Sequence, residues 1–317
     1  MKNLFFYFTT IVIWGTTWLA IKFQLGSIAP TVSVFYRFLL ASLLLLLYCR
    51  FKGLNMRFTQ KEHAFIAMQG FFLFAVNYLL FYITEIYLSS GLTAVVFSTI
   101  VFMNIFNGRM FLGSKIQFRM VLGAMIGLVG IVLVFMPELS DFSLDDKNFY
   151  GLLLGIAATF SASLGNIISA RNQKKNLPVI QTNAYGMAYG AFVMFIFALV
   201  TGKTFQFDIS VEYIASLAYL AVFGSVLAFG CYLTLIGRIG ADRAAYATLL
   251  FPLVALGIST LFEGYIWTVW SISGVVLILA GNLMIISPKN ALGYRATIRH
   301  ELEKVRSIFL PLQRKSP

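Results

Sequence analysis

GLTAVVFSTIVF at residues 91–102 can be laid over GADRAAYATLLF at residues 240–251 without a gap. The offset is 149 residues, and it makes Gly91 coincide with Gly240, Thr99 with Thr248 and Phe102 with Phe251. Carried further, it sets Gly108 on Gly257 and Leu112 on Leu261; after a two-residue shift, Gly123 falls on Gly274 and Gly130 on Gly281. Apolar segments match one another by chance, so these identities alone carry little. The order of loops, glycines and segment lengths agrees as well, which makes the chain a duplicated unit.

Outward from that stretch, apolar segments fill the sequence. The 317 residues are 59% hydrophobic and only 11% charged. A bilayer core about 30 Å thick takes about 20 apolar residues per helix. Segments of that kind fall at 4–24, 31–49, 64–85, 92–112, 120–136, 150–170, 179–201, 213–236, 244–262 and 268–286. The predicted fold is therefore an all-α integral membrane protein of ten transmembrane helices. Its two five-helix repeats span 4–136 and 150–286, joined by the acidic linker ELSDFSLDDKNFY at 137–149. Five is odd, so the second repeat enters the bilayer inverted, a recurring plan for secondary transporters.

The net charge of +12 raises nucleic acid as a partner, but the placement of the charges excludes it. With the N-terminus in the cytoplasm, 19 of the 24 lysines and arginines lie inside and only Lys147 and Lys203 outside. Lys22, Arg37 and Arg109 fall within spans. This asymmetry is the positive-inside rule and predicts both termini in the cytoplasm, hence a periplasmic linker. The expected location is a bacterial inner membrane, crossed many times. The first apolar segment is too long for a signal-peptide core and is followed at once by another span, so it reads as a retained helix. Cys49 and Cys231 both fall in apolar segments and suggest no disulfide framework.

Five short motifs carry a resemblance. They are WGTTW at 14–18, YRFLLA at 36–41, YLSSGLTA at 87–94, FLGS at 111–114 and TLLFPLVA at 248–255. In this order and spacing the chain resembles the EamA-type transporters of the drug/metabolite transporter superfamily, over residues 4–286. The resemblance implies ten helices in two inverted repeats and transport of metabolites, often export of amino acids or related small molecules. Two positions depart from the family pattern. Met103 stands where many members carry a proline, although Pro252 is kept in the second repeat; Ser114 stands where an acid is common, while Glu263 fills that place in the second repeat.

The candidate functional residues are polar or aromatic groups at membrane depth. A charge there costs about 2.5–3.5 kcal/mol on insertion scales, so Arg37 should face the bundle and have a partner. It suits either a substrate carboxylate or a structural role on backbone carbonyls or on Glu85. Glu85, on one helical face with Tyr78 and Tyr82, suits a substrate amine, a proton, or outer water. Asn77 is either interhelical glue or a pocket ligand. Trp14 lies too far from either end of its span to be an interfacial belt residue, so it walls a cavity or fills the core. Trp267 and Trp270 read as belt anchors. Ser98, Asn166 and Tyr246 are the best placed of the small polar groups for a site near the midplane. Gly123, Gly127 and Gly130 read as packing positions.

No catalytic constellation, metal-ligand spacing or phosphate-cradling loop is present, so the expectation is a transporter with no cofactor and no metal rather than an enzyme. An internal duplication suits alternating access better than a channel. Aromatic and neutral polar candidates suit a small zwitterion such as an amino acid; efflux of lipophilic cations is the alternative. Helix 1 has no acid at depth, so coupling runs either down the substrate gradient or through a proton on Glu85. The tail at 287–317 holds seven basic and two acidic residues. Ile298, Leu302, Val305 and Ile308 share a helical face, which suggests an interfacial helix on anionic lipid or a plain basic tail.

Overall fold

The computed structural model describes residues 2–26, 28–114, 116, 118–134, 136, 147–240, 244 and 247–286. The basic tail, most of the acidic linker and Tyr246 lie outside the described residues. No strand occurs among the described residues. The helical rods are α1 (Lys2–Lys22), α2 (Pro30–Phe51), α3 (Gln60–Tyr87), α4 (Ser90–Leu112) and α5 (Phe118–Val134). They continue as α6 (Lys147–Lys174), α7 (Val179–Val200), α8 (Val211–Ile239), α9 (Ala247–Phe262) and α10 (Val269–Ile286). α6 begins at Lys147 and so takes in the last residues of the stretch 137–149.

Six rods (α2, α3, α4, α6, α7 and α8) are long and apolar enough to cross a membrane, and α5, α9 and α10 contain shorter apolar stretches. Helices satisfy their own backbone groups, which hydrocarbon requires. The side chains are distributed inside out. Phe8, Leu47, Phe106, Met125, Phe192 and Leu283 face outward, while Arg37, Asn77, Glu85, Asn104 and Asn166 are buried. That is the pattern of a bundle solvated by lipid.

Local sequence sets the helix ends. Pro30 opens α2 at its first turn, where its missing N–H costs nothing. Thr59 caps α3 through a capping box: the Glu62 N–H donates to its hydroxyl (3.3 Å) and the Thr59 N–H donates to the Glu62 carboxylate (2.7 Å). Gly113 closes α4 in the left-handed conformation at φ 67°.

Two rods change pitch midway. A π-helical stretch occupies Phe71–Val76 in α3 and Leu220–Leu227 in α8. Their starts are separated by 149 residues, the offset of the sequence repeat. Helix packing respects the same relation. α2 packs on α7 and α5 on α10, α3 and α4 pack on α6, and α8 and α9 pack on α1. The α5–α10 contact is backbone against backbone: a methyl added at Gly130 would lie 2.6 Å from the Gly274 carbonyl oxygen. Glycines at 127, 130, 274 and 281 thus let two rods meet as close-packed surfaces.

Candidate functional site

The π-helical stretches position the polar groups at the centre. A π turn leaves carbonyls off the usual ladder, free to accept from neighbours. In α8, the Trp14 indole N–H donates to the Gly224 carbonyl (3.2 Å), and the Ser225 hydroxyl donates to the Leu220 carbonyl five residues back (2.9 Å). In α3, the Ser161 hydroxyl of α6 donates to the Phe72 carbonyl (2.8 Å), and the Asn77 amide donates to the Leu73 carbonyl (2.9 Å). α1 thus binds the π stretch of α8, and α6 binds that of α3.

Around this frame lies an internal cavity of about 30 Å³. Its walls are largely aromatic. Trp14 contacts Phe229 and Tyr232 at ring centroid distances of 5.0 and 4.8 Å, and Trp18 contacts Phe81 and Phe97 at 5.1 and 5.6 Å. Asn77, Tyr78 and Asn166 add the polar part of the lining, with Thr17 beside them.

Next to the cavity sits Arg37, only 1% exposed. Its Nε donates to the Ser225 hydroxyl (3.0 Å), and its guanidinium lies over the Tyr78 ring at 4.4 Å. Tyr82 and Glu85 are completely buried nearby. Neither Glu85 carboxylate oxygen has a hydrogen-bond partner among the described residues. Glu85 is in the electrostatic field of Lys22, Glu263 and Arg37.

The two ends of the bundle differ. At the Lys22 end, the Lys22 ammonium donates to the backbone carbonyls of Glu85 (2.5 Å) and Leu88 (2.8 Å) and stands 3.9 Å from the Glu263 carboxylate. Glu263 in turn accepts from the backbone N–H and the hydroxyl of Ser90. At the opposite end a vestibule of about 640 Å³ opens between α4, α6, α7 and α8. Asn104, Ser114, Gln173, Lys174, Thr234 and Arg238 supply its polar lining, and no acid occurs among its described lining residues.

Of the residues singled out in the sequence, Trp14, Asn77, Tyr78 and Asn166 come together on the cavity wall. Arg37, Tyr82 and Glu85 form the adjoining polar group between the cavity and the Lys22 end. Ser98 is buried, but its hydroxyl donates to the Val95 carbonyl (2.6 Å) and it is not part of the cavity lining. Tyr246 lies outside the described residues. Arg37 takes a hydroxyl and an aromatic face rather than backbone carbonyls or Glu85. Glu85 is fully buried. Sequence reasoning passed over Tyr232, Phe229 and Phe251 as ordinary aromatics in apolar helices. It also passed over the Lys22–Glu263 pair, because charges at span ends are ordinary.

Comparisons with known proteins agree with this architecture. A model of the EamA-like transporter family matches residues 1–136 and 149–287. The chain is similar to protein PagO of Salmonella typhimurium, 24% identical over 284 residues, which cover 87% of this chain and 90% of PagO. It is 26% identical to the uncharacterized transporter YoaV of Bacillus subtilis, covering 86% and 92% of the two chains. It is also 27% identical to the uncharacterized inner membrane transporter YedA of Escherichia coli K12, covering 80% of each. A solved crystal structure shares the fold with a TM-score of 0.68 at 15% identity, over 89% of this chain and 95% of its own.

Proposed function

This chain belongs to the EamA-like transporter family, a family of membrane transporters and not of enzymes, and on that premise we propose that it carries small zwitterionic metabolites, amino acids foremost, by alternating access. It is a multi-pass membrane protein. The observation that carries the mechanism is the difference between its ends. Lys22, Glu263 and Ser90 latch one end, while the other opens into a vestibule that reaches Asn104. A conformation closed on one side and open on the other is half of an alternating-access cycle.

The helix arrangement supports two inverted five-helix repeats. Exchanging each helix with the one five places on maps the main packing pairs onto one another: α2–α7 and α5–α10 onto themselves, α3–α6 onto α8–α1 and α4–α6 onto α9–α1. The π stretches at Phe71 and Leu220 obey the same exchange. With the positive-inside distribution, the vestibule faces the cytoplasm and the latch faces outward, which favours export or facilitated passage out of the cell. A bacterial inner membrane fits, since YedA is named an inner membrane transporter.

The substrate class rests on the lining. Trp14, Trp18, Phe81 and Phe229 suit an apolar side chain, and neutral amides suit a zwitterionic head. Lys174 and Arg238 in the vestibule attract a carboxylate and repel a lipophilic cation. Efflux of lipophilic cations is the second reading, favoured by the aromatic walls and the unpaired Glu85 carboxylate. Glu85 is the proposed site of proton coupling, because it is a buried acid between cavity and latch. The basic tail is proposed to rest on anionic lipid. The test is uptake by proteoliposomes of wild-type protein and of Glu85→Gln, with and without a pH gradient. Gradient-dependent uptake lost in Glu85→Gln supports the coupling; full gradient dependence in the variant removes it.

A further inference from the structure

Three side chains meet between the cavity and the vestibule: Asn166 on α6 and Tyr232 on α8 line the cavity, and Asn104 on α4 lines the vestibule. They are 3%, 1% and 1% exposed. Both amide atoms of Asn104, both of Asn166 and the Tyr232 hydroxyl have no hydrogen-bond partner among the described residues. The two amides stand within weak hydrogen-bonding reach of that hydroxyl, in a geometry too long or too bent to satisfy any of the three groups. Buried polar atoms are almost always paired, and each orphan carries a desolvation cost. Five orphans at one junction of three helices need a cause.

Structural glue is not that cause. Other buried amides of the bundle have at least their donor satisfied: Asn107 donates to Ser163 (2.9 Å), Asn172 to Gln69 (3.1 Å), and Gln24 to Ser216 (2.7 Å), with the Asn107 and Gln24 oxygens left unpartnered among the described residues. The repeat does not demand these three groups either. The positions 149 residues away are Leu253, Thr17 and Ile83, and Thr17 donates to the Trp14 carbonyl (2.9 Å). The set therefore belongs to one side of one path and not to the fold.

Resting on the transport reading above, we propose that Asn104, Asn166 and Tyr232 form the subsite that receives the hydrogen-bonding head of the transported solute as it passes from vestibule to cavity. The set offers amide donors, amide acceptors and a hydroxyl with no formal charge. It matches an uncharged or zwitterionic head that both donates and accepts, as an amide, a polyol or an α-amino-carboxylate does. It does not match a cation without hydrogen-bonding groups. The Tyr232 ring packs against Trp14 at 4.8 Å, and its hydroxyl lies beside the two amides. The solute's apolar part then lies against Trp14 and Phe229.

The experiment compares the full chain with Asn104→Leu, Asn166→Leu and Tyr232→Phe, which keep volume and remove hydrogen bonding. Melting temperature is read alone and with L-leucine, L-threonine, glucose or tetraphenylphosphonium. Without solute, the variants should melt at or above the wild-type temperature. Their affinity for any hydrogen-bonding solute that stabilises wild type should fall at least tenfold, while tetraphenylphosphonium is unaffected. Stable variants with unchanged affinity, or variants that melt several degrees lower without solute, would overturn the subsite. Wild type answering to glucose and not to the amino acids would overturn the amino-acid reading instead, and the same variants losing glucose would uphold the subsite.

Discussion

Lys22 stands 3.9 Å from Glu263 while its ammonium donates to the carbonyls of Glu85 and Leu88, so one side chain ties together α1, the α3–α4 turn and the end of α9. The pair is only partly exposed. By the repeat offset, the opposite end carries Arg171 and Ser114 at the corresponding positions. Arg171 there lies over the Phe65 ring at 3.3 Å and donates to Asn172 (3.0 Å). The latch acid is thus present at one end and replaced by a hydroxyl at the other. That gives a physical reason for the open vestibule beside Ser114.

Removing the latch should loosen the Lys22 end. Lys22→Met deletes one ion pair and two hydrogen bonds, together about 1–2 kcal/mol, a factor of about 5–30 in local opening. Hydrogen exchange is expected to rise by that factor in the α3–α4 turn around residues 85–92. Unchanged exchange there would show that the aromatic cluster around Trp18 closes this end unaided.

Arg37 depends on Ser225 and Tyr78 for its burial. Ser225→Ala leaves its Nε unpaired and should cost about 1–3 kcal/mol, measured as a lowered unfolding midpoint. Arg37→Lys should not be tolerated, because an ammonium lacks the planar face that stacks on Tyr78. Equal stability of wild type and Arg37→Lys would contradict this account of the site.

Gly130→Ala and Gly274→Ala should both weaken the α5–α10 contact by about 1–3 kcal/mol through overpacking, read as loss of thermal stability in detergent. Gly257→Ala is the control. A methyl there meets nothing within 4 Å, so the better helix propensity should leave stability unchanged or higher.

Much of this architecture was legible because a membrane imposes simple rules. The offset between Gly91 and Gly240 suggested a duplication, and the same offset separates the starts of the π stretches at Phe71 and Leu220. No proline or glycine marks Phe71–Val76, however, so the change of pitch itself could not be read. Arg37, Glu85 and Asn77 stood out as polar groups in apolar runs. Tyr232 did not, because tyrosine is common in membrane helices and only its neighbours Asn104 and Asn166 give its hydroxyl meaning. Lys22 and Glu263 were invisible as a pair for a different reason. They lie 241 residues apart at helix ends, where charges are expected in any case.

Trp14→Phe should separate packing from hydrogen bonding at the cavity. The smaller ring keeps contact with Phe229 and Tyr232 but releases the Gly224 carbonyl in the π stretch. The expected result is a loss of about 1 kcal/mol in stability and a several-fold lower maximal transport rate, from unfolding and flux measured side by side. Wild-type flux in this variant would mean that the π stretch is not braced by α1.

The most direct test of the central claim is uptake of labelled L-amino acids by proteoliposomes containing the purified full chain, with and without an imposed pH gradient. Saturable uptake that disappears when a cross-link fastens α1 to α9 across the Lys22 end is the predicted result. Absence of uptake for every amino acid, or undiminished uptake in the cross-linked protein, would contradict it.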